Sequence, residues 1–145
     1  MLRAYPPPHF WILHIDGSAM PNPGRMAVGL VLTGPDGSHH SAARRLPHTG
    51  CNNEAELTAL LDGLQAAQQA GAQALRVYTD SHVLLEQLAP APGRPPRPIV
   101  RLEPLFAQAR QALQALGTVQ LRWVPRRCNS EADALARAAA EALEV

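Results

Sequence analysis

Six acidic residues stand close to the ends of predicted helices and strands, where carboxylates from different elements can converge. They are Asp16, Glu54, Glu56, Asp80, Glu131 and Asp133. Two carboxylates about 4–6 Å apart repel one another, and the pKa of one of them rises unless a cation neutralises the pair. An array of carboxylates without Cys or His partners favours Mg²⁺ or Mn²⁺ over Zn²⁺. These residue types therefore indicate a site for a hard divalent cation.

Each of these residues also has a purely structural interpretation. Asp16 and Gly17 could simply begin a turn, as Asp36 does in the segment GPDG. Glu54 and Glu56 both flank the leucine stripe of the following helix, so periodicity does not choose between them. The other acidic residues fall on predicted helices and are expected to face water: Asp62, Glu86, Glu103, Glu141 and Glu144. The joint occurrence of several carboxylates at element ends is what favours a binding site.

The first third of the chain predicts three antiparallel strands. Apolar runs predict strands at residues 9–16 and 26–33, and the turn signal GPDG leads to a third strand at residues 38–46. The third strand is more polar, which suits the edge of a sheet. Asp16 then ends the first strand, and the segment GSAMPNPG forms a hairpin with Asn22 at its tip.

Helices and strands alternate in the rest of the chain. A leucine stripe predicts a helix with Asn52 or Asn53 as its N-cap and Gly71 at its end. The following elements are a strand at residues 74–80, a short helix at 81–89, a Pro-rich break at 90–98, a helix at 99–117, a strand at 118–124 and a helix at 129–144.

The predicted order βββαβααβα describes an α/β fold, a five-stranded mixed sheet flanked by helices. The first and fourth strands would be central and parallel, so Asp16 and Asp80 would lie side by side beyond their carboxyl ends. In the fifth strand, Val119, Leu121 and Trp123 alternate with polar residues and are expected to face the core.

Length and composition predict one domain over residues 1–145, with residues 1–8 flexible and residues 90–98 as an internal loop. No apolar run approaches the ~18 residues of a membrane span, and two cysteines are too few for a disulfide framework, which favours a cytoplasmic location. The formal net charge is only +1, so a polyanionic partner must be held by local patches. All 13 basic residues are arginines, whose forked guanidinium groups suit phosphates.

Four blocks of the sequence together resemble the signature of type 1 ribonuclease H. They are DGSAMPNPG at 16–24, NNEAEL at 52–57, YTDS at 78–81 and NSEADALA at 129–136. The blocks occur in the family's order, near its spacing and on the expected elements, and the resemblance covers roughly residues 9–144. It implies the ribonuclease H-like fold, with the third strand of a five-stranded sheet at an edge. It also implies hydrolysis of the RNA strand of RNA–DNA hybrids by an endonuclease with a two-metal-ion mechanism.

The resemblance also implies roles for individual residues. The metal-binding, catalytic carboxylates would be Asp16, Glu56, Asp80 and Asp133, holding two Mg²⁺ ions with substrate, or Mn²⁺ as a substitute. The expected substrate contacts are Gly17, Ser18, Asn22, Asn52, Asn53, His82, Arg126, Arg127 and Asn129. Contacts to 2′-hydroxyl groups would select RNA. The protein is expected to be a monomer that binds an RNA–DNA hybrid, with double-stranded RNA as a second candidate substrate.

Two features of the family pattern are missing. Many members place a His in the loop before the last helix, but residues 125–129 contain none; Arg126 or Arg127 could replace it electrostatically, or both could be solvated loop residues. The basic, Trp-containing protrusion of longer members is replaced by PAPGRPPRPIVR, which keeps three arginines and no aromatic residue. The chain is therefore expected to be a compact member that binds hybrid weakly and with strong salt dependence.

The two cysteines each precede an asparagine of a signature block, so both are expected near the cleft. Cys51 stands where members often have a hydroxyl residue that holds a DNA phosphate, and Thr49 is close enough to substitute for it. Inert free thiols are one interpretation of Cys51 and Cys128, and a redox-sensitive site is the other.

Two other classes of function compete with the hydrolysis of hybrids. A catalytically inactive nucleic-acid-binding module on the same fold is disfavoured, because binding alone needs no repulsive cluster of carboxylates. Another enzyme of the superfamily, such as a 3′–5′ exonuclease or a transposase core, is disfavoured by the blocks DGS…NPG and NNxxEL.

Overall fold

Among the residues that the structure describes, five strands and four helices occur in the order expected from the sequence. The strands are β1 (Trp11–Met20), β2 (Gly24–Thr33), β3 (His39–Gly50), β4 (Ala74–Thr79) and β5 (Thr118–Trp123). The helices are α1 (Asn52–Gln69), α2 (His82–Leu88), α3 (Glu103–Leu116) and α4 (Ser130–Glu141), with short 3-10 turns at Val100–Leu102 and Arg126–Cys128. The computed structural model describes residues 7–142. The expected flexibility of residues 1–8 and the end of the helix predicted at 129–144 therefore fall partly outside the described residues.

The strands form one mixed sheet in the order β3-β2-β1-β4-β5. β1 pairs antiparallel with β2, and β2 pairs antiparallel with β3, which lies at one edge. β4 runs parallel to both of its neighbours, β1 and β5. The predicted mixed sheet is thus confirmed, with its polar third strand at an edge and its first and fourth strands side by side.

β1 continues beyond Asp16 to Met20, so the prediction that Asp16 ends the first strand is wrong. The physical reason is that the two partners of β1 end at different places. The antiparallel ladder with β2 continues to the last residue of β1, whereas the parallel ladder with β4 stops at His14↔Tyr78. Extending the parallel register by two residues sets Asp16 opposite Asp80, which directly follows β4. Asp16 therefore lies at the carboxyl end of the parallel pair although it lies within a strand.

The first hairpin is longer than predicted, and only residues 21–23 form its turn. β3 likewise continues to Gly50 rather than to residue 46, because its ladder with β2 resumes after an irregularity between Arg25 and Ala27. Asn22 is exposed within the turn, which agrees with its expected place at the tip.

α1 has Cys51 as its N-cap, not Asn52 or Asn53 as predicted. The Cys51 Sγ accepts a hydrogen bond from the backbone N–H of Glu54 at 3.4 Å, so a thiol satisfies a donor that a hydroxyl or carboxylate oxygen usually satisfies. At the other end the prediction is confirmed, because Gly71 follows the C-cap with a φ of 83°, a conformation that glycine adopts without strain.

The main core lies between the sheet and helices α1 and α3. β1 contributes Leu13 and Ile15, and α3 contributes Phe106, all of them fully buried. The leucine stripe of α1 packs into the same cluster through Leu57, Leu60 and Leu64. α4 packs chiefly against β2. Across residues 7–142, no helix combines the length and the apolar character needed to cross a bilayer.

Trp123 does not face the core, so that part of the prediction for the fifth strand is wrong. Val119 and Leu121 pack against the core as expected, but Trp123 is 45% exposed and stacks on His82. The reason is position, since Trp123 is the last residue of an edge strand and meets a histidine of α2 rather than an apolar side chain.

Two glycines let helices approach the sheet closely at the level of Asp16. A Cβ at Gly17 would clash with the backbone carbonyl of Ala55 in α1, and a Cβ at Gly29 would clash with the carbonyl oxygen of Ala132 in α4. Gly29 is also the antiparallel partner of Asp16. The two helices therefore come close to the backbone at one level of the sheet, and each brings a predicted carboxylate ligand with it.

We expect Gly29→Ala to lower the free energy of unfolding by about 1–3 kcal/mol, because the new methyl group would meet helix backbone and α4 would have to shift. Gly50→Ala is the matched control, since its Cβ would meet the flexible side-chain ends of Glu54 and Met26, and its loss should be smaller. Urea denaturation of both variants measures the difference. Equal losses would contradict a special role for the close approach of α4.

Candidate active site

Three carboxylates converge where β1, β4 and α1 meet. One oxygen from each of Asp16, Glu56 and Asp80 lies within 4.8 Å of the other two. Asp16 lies within β1, Asp80 directly follows β4, and Glu56 lies near the start of α1. In the part of the chain that the structure describes, this is the one group of His, Cys, Asp and Glu side chains placed closely enough to hold a metal ion together.

These carboxylates have little access to water. Asp16 and Glu56 are only 5% and 7% exposed. The Oε2 atom of Glu56 and the Oδ2 atom of Asp80 are buried without a hydrogen-bond partner. Buried polar atoms nearly always have a partner, and carboxylate oxygens are the ligands that Mg²⁺ and Mn²⁺ prefer. The unpaired oxygens and the all-oxygen donor set therefore fit a divalent cation.

The electrostatic cost of this arrangement appears in the pKa values. Burial raises the pKa of Asp16 to about 7; an interaction with Glu56 opposes the rise, and the charge on Asp80 adds to it. Burial also raises the pKa of Glu56 well above its usual value. The pKa of Asp80 is raised by burial too, although Asn129 and Arg126 stabilise its charged form. Without a cation, protons remain on the site up to about neutral pH.

Asp133 lines the same cleft but stands slightly apart. Its Oδ2 lies 3.2 Å from the Nη2 of Arg137, one turn further along α4. Its charge still raises the pKa values of Asp16 and Asp80, so it lies within electrostatic reach of them. The fold thus brings all four predicted carboxylates to one cleft and sets three of them in close contact.

A cleft of about 660 Å³ surrounds the carboxylates. Most of the residues predicted for the site line it: Asp16, Gly17, Ser18, Asn52, Asn53, Glu56, Asp80, His82, Arg126 and Asp133. The remaining three, Asn22, Arg127 and Asn129, lie outside this lining.

Asn22 and Asn52 connect the first hairpin to α1. The Oδ1 of Asn22 accepts a hydrogen bond from the Asn52 N–H at 3.1 Å, and the Oδ1 of Asn52 accepts one from the Ala19 N–H at 2.8 Å. These bonds fix the start of α1 against β1, next to the carboxylates. In Asn52, which lines the cleft, the side-chain NH₂ group is the end that a ligand could contact.

Asn129 lies beneath the carboxylates rather than in the open cleft. It is 1% exposed, and its Nδ2 donates a hydrogen bond to the Ile15 carbonyl at 2.7 Å. It also stabilises the charged form of Asp80, which lowers the pKa of that group against the effect of burial. This geometry suits a residue that positions Asp80 and β1 relative to the loop before α4.

The loop that lacks a His places one arginine in the cleft. Arg126 lines the cleft, whereas Arg127, its neighbour in the same 3-10 turn, is exposed outside it. His82 lines the cleft from the start of α2, and its ring stacks on Trp123.

Arg137 and Glu141 also line the cleft, and sequence reasoning missed both. They follow Asp133 at i+4 and i+8, a spacing that sets all three on one side of α4. This spacing is visible in the sequence. The sequence-based expectation that Glu141 faces water made no use of it, although Glu141 lies on the same side of α4 as Asp133.

Both cysteines are free, and neither lines the cleft. Besides capping α1, the Sγ of Cys51 lies 3.2 Å from the Nη2 of Arg101, which donates to it. Cys128 is exposed in the 3-10 turn before α4. The structure therefore gives Cys51 a capping role, and the redox-sensitive alternative stays a prediction.

Comparison with known proteins gives a consistent result. A family model described as reverse transcriptase-like matches residues 14–139. A ribonuclease HI from Halobacterium salinarum is 32% identical over 87% of this chain. The crystal structure of RNase H1 from that archaeon matches with a TM-score of 0.81 at 32% identity, and the match covers 89% of this chain and 96% of the solved one. The chain belongs to the type 1 ribonuclease H family.

Two further solved structures resemble this ribonuclease H family member. The N-terminal RNase H domain of a Mycobacterium tuberculosis bifunctional protein matches with a TM-score of 0.80 at 32% identity, covering 90% of this chain and 93% of that one. LC11-RNase H1, solved in complex with an RNA/DNA hybrid, matches with a TM-score of 0.77 at 25% identity, covering 90% and 96%. This chain spans only 62% of the Halobacterium ribonuclease HI and 35% of the mycobacterial protein.

The compact character expected of this family member is also seen. Residues 89–99, between α2 and the 3-10 turn before α3, contain no helix. The segment that carries a basic protrusion in longer members is therefore a Pro-rich connection here.

The raised pKa values predict that the metal-free protein loses stability as the pH rises. Between the ordinary pKa of Asp16, 3.8, and its raised value of about 7, the folded protein holds a proton that the unfolded chain has released. The free energy of unfolding therefore falls through this window. We expect Asp16→Asn to remove about 1–3 kcal/mol of that fall, as measured by urea denaturation in EDTA at pH 5.5 and pH 8.

Asp62→Asn is the control for this measurement, because Asp62 lies on α1 but pairs with Arg44 away from the cleft. The free energy of unfolding of Asp62→Asn should fall between pH 5.5 and pH 8 by the same amount as that of the wild type. Mg²⁺ or Mn²⁺ should restore stability at pH 8 in the wild type and much less in Asp16→Asn. An unchanged pH slope in Asp16→Asn would contradict the raised pKa.

Proposed function

We propose that this chain is a metal-dependent endoribonuclease that hydrolyses the RNA strand of RNA–DNA hybrids. One observation carries the proposal: the convergence of Asp16, Glu56 and Asp80 within 4.8 Å, with unpaired buried oxygens among them. Membership of the type 1 ribonuclease H family supports the reaction, and the solved complex of LC11-RNase H1 with an RNA/DNA hybrid supports the substrate.

Asp16, Glu56 and Asp80 would hold the cation, with Asp133 completing the ligand set on the α4 side of the cleft. Mg²⁺ is the proposed metal, as two ions per site with substrate, and Mn²⁺ is its substitute. When bound, the metal would activate water and stabilise the leaving 3′-oxygen. The chain itself supplies orientation, because its four carboxylates lie on or next to β1, β4, α1 and α4, whose positions the core and the sheet already fix.

The residues around the carboxylates suit the binding of the hybrid. Gly17 and Ser18 line the cleft beside Asp16, and Asn52 and Asn53 line it from the start of α1. Their polar groups can form hydrogen bonds with 2′-hydroxyl groups and sugar edges in the wide minor groove of an RNA-containing duplex. Selection of the RNA strand is therefore proposed to come from this side of the cleft.

Arg126 is the residue that we propose in place of the missing loop histidine. It lines the cleft, and its charge stabilises the charged form of Asp80, which lowers the pKa of that carboxyl against the effect of burial. A permanently charged guanidinium group at this position would attract a phosphate near the cut. It would not transfer a proton, because arginine stays protonated in proteins.

A binding module without catalysis is the weaker alternative. Burying three carboxylates together raises their pKa values and destabilises the metal-free protein, and a surface that only binds nucleic acid gains nothing from this. A monomeric state, a cytoplasmic location and cleavage of double-stranded RNA remain predictions.

We expect Asp80→Asn to lower kcat on an RNA–DNA hybrid by about 100-fold or more, because even residues that merely support metal ligands are worth about 10–100-fold. Asp62→Asn is the matched control and should keep wild-type kcat, since its carboxylate pairs with Arg44 outside the cleft. The measurement is steady-state cleavage of a labelled hybrid with Mg²⁺ and with Mn²⁺. Double-stranded RNA, double-stranded DNA and a duplex with a single ribonucleotide are assayed in parallel.

Full activity in Asp80→Asn would refute the metal-site assignment, and binding of the hybrid without cleavage by the wild type would favour the binding module. Cutting of a hybrid whose ends are blocked would identify an endonuclease. Cutting that requires a free end would instead identify an exonuclease.

We expect Arg126→Ala to weaken hybrid binding and to reduce the slope of log affinity against log salt by about one unit, because one phosphate contact is lost. Arg110→Ala is the charge-matched control, since Arg110 pairs with Glu103 on α3. Binding is measured by fluorescence anisotropy over a series of salt concentrations. Identical salt slopes for the two variants would show that Arg126 is a solvated loop residue.

A further inference from the structure

An aromatic pair lies at the rim of the cleft. The rings of His82 and Trp123 are stacked, with centroids 5.0 Å apart and planes inclined by 17°. His82 lines the cleft, whereas Trp123 extends the stack outward and is 45% exposed. Large aromatic side chains at the surface, next to polar groups, commonly mark binding sites. The stacked pair thus places an exposed indole ring beside the lining of the cleft.

The backbone holds Trp123 beside the carboxylates. Trp123 pairs with Thr79 in the ladder between β5 and β4, and Thr79 directly precedes Asp80. The next residue, Val124, donates its N–H to the Thr79 carbonyl at 2.9 Å. The indole ring is therefore mounted on a strand, at a fixed place relative to Asp80, and not on a loop.

Positive charge stands next to this pair. Arg126 and Arg127 begin the 3-10 turn that follows β5, and both are exposed. Arg126 also lines the cleft, so it connects the rim with the carboxylates. Exposed aromatic rings beside guanidinium groups are the combination that binds single-stranded nucleic acid, because bases stack on the rings and phosphates pair with the cations.

A paired duplex could use the arginines but not the ring, since its bases are stacked on one another inside the helix. We propose that Trp123 and His82, together with Arg126 and Arg127, bind an unpaired single-stranded extension of the hybrid where it leaves the cleft. This inference rests on the proposed function, because the paired part of the same molecule must occupy the cleft. It gives the chain a preference for hybrids that have a single-stranded extension next to the cut.

Three hybrids with the same paired sequence test the proposal: one blunt, one with a short overhang, and one with an abasic overhang of equal length and charge. The wild type should cleave the overhang hybrid with a kcat/KM about 5–10-fold higher than the abasic one, because stacking needs bases. Trp123→Ala should reduce this ratio to about one, and Trp123→Phe should keep part of it. Overhangs on the DNA strand and on the RNA strand are separate arms, which identify the strand that is bound.

Fluorescence gives a readout that does not depend on cleavage. The chain has two tryptophans, Trp11 and Trp123, so in Trp11→Phe all tryptophan emission comes from Trp123. Titration with a single-stranded DNA oligonucleotide should quench this emission, and an abasic oligonucleotide of the same length should quench it far less. Thermal denaturation of each variant shows whether it is folded.

Val100→Ala is the control variant, because Val100 is an exposed apolar residue outside the lining of the cleft, with 83% exposure. It should leave the ratio between overhang and abasic overhang unchanged. Equal kcat/KM values for the two overhangs in the wild type would overturn the inference, as would an unchanged ratio in folded Trp123→Ala. Cleavage of hybrid without any quenching would overturn this site alone. Quenching without cleavage would support the binding of single strands at Trp123 and would overturn the proposed function, and with it the preference for hybrids that have an extension.

Discussion

Repulsion among buried carboxylates is the constraint that the rest of the molecule has to satisfy. One oxygen each of Asp16, Glu56 and Asp80 lies within 4.8 Å of the other two, with Asp16 and Glu56 buried and Asp80 partly buried. At about 4 Å, two unit charges repel by about 4 kcal/mol at the effective dielectric constant found near protein surfaces. Side chains alone would separate under this force. The chain keeps them together because each belongs to an element that is fixed for other reasons: two neighbouring strands and a helix held by its leucine stripe.

The carboxylates can meet because the backbones of two helices come very close to the backbone of the sheet. Gly17 admits the backbone of α1, and Gly29, the partner of Asp16 across the sheet, admits the backbone of α4. Each helix can then bring one carboxylate, Glu56 from α1 and Asp133 from α4, to the same end of the sheet.

Asp133, the fourth carboxylate, differs from the other three in its electrostatic surroundings. Asp133 stands outside the close group and has a cation of its own in Arg137, so its charge costs less in the metal-free protein.

The order of elements and the mixed sheet were predictable because hydrophobic period and turn signals are local properties of a sequence. The position of Asp16 within its strand was not, since it depends on which of two partner strands ends first. The N-cap of α1 was also missed, because Cys51 is a weak hydrogen-bond acceptor and the better acceptor, Asn52, accepts a hydrogen bond from a residue of β1 instead.

Periodicity could not separate Glu54 from Glu56, and the family resemblance did so. The structure supplies the physical distinction: Glu54 pairs with His48 at the surface, whereas Glu56 points into the group of carboxylates.

Under the proposed function, the low net charge of the chain makes the binding of metal and the binding of nucleic acid depend on each other. With a formal charge of +1 and a cleft lined by carboxylates, the metal-free protein offers a polyanion little attraction. A bound cation reverses the local potential, so the metal and the phosphate backbone must each strengthen the binding of the other. That coupling is reciprocal by thermodynamic necessity.

A family member with a basic protrusion can hold its substrate through contacts remote from the metal. Here the Pro-rich connection carries few arginines, and Arg137 is already engaged by Asp133, so a larger share of substrate affinity has to come through the metal site and its rim.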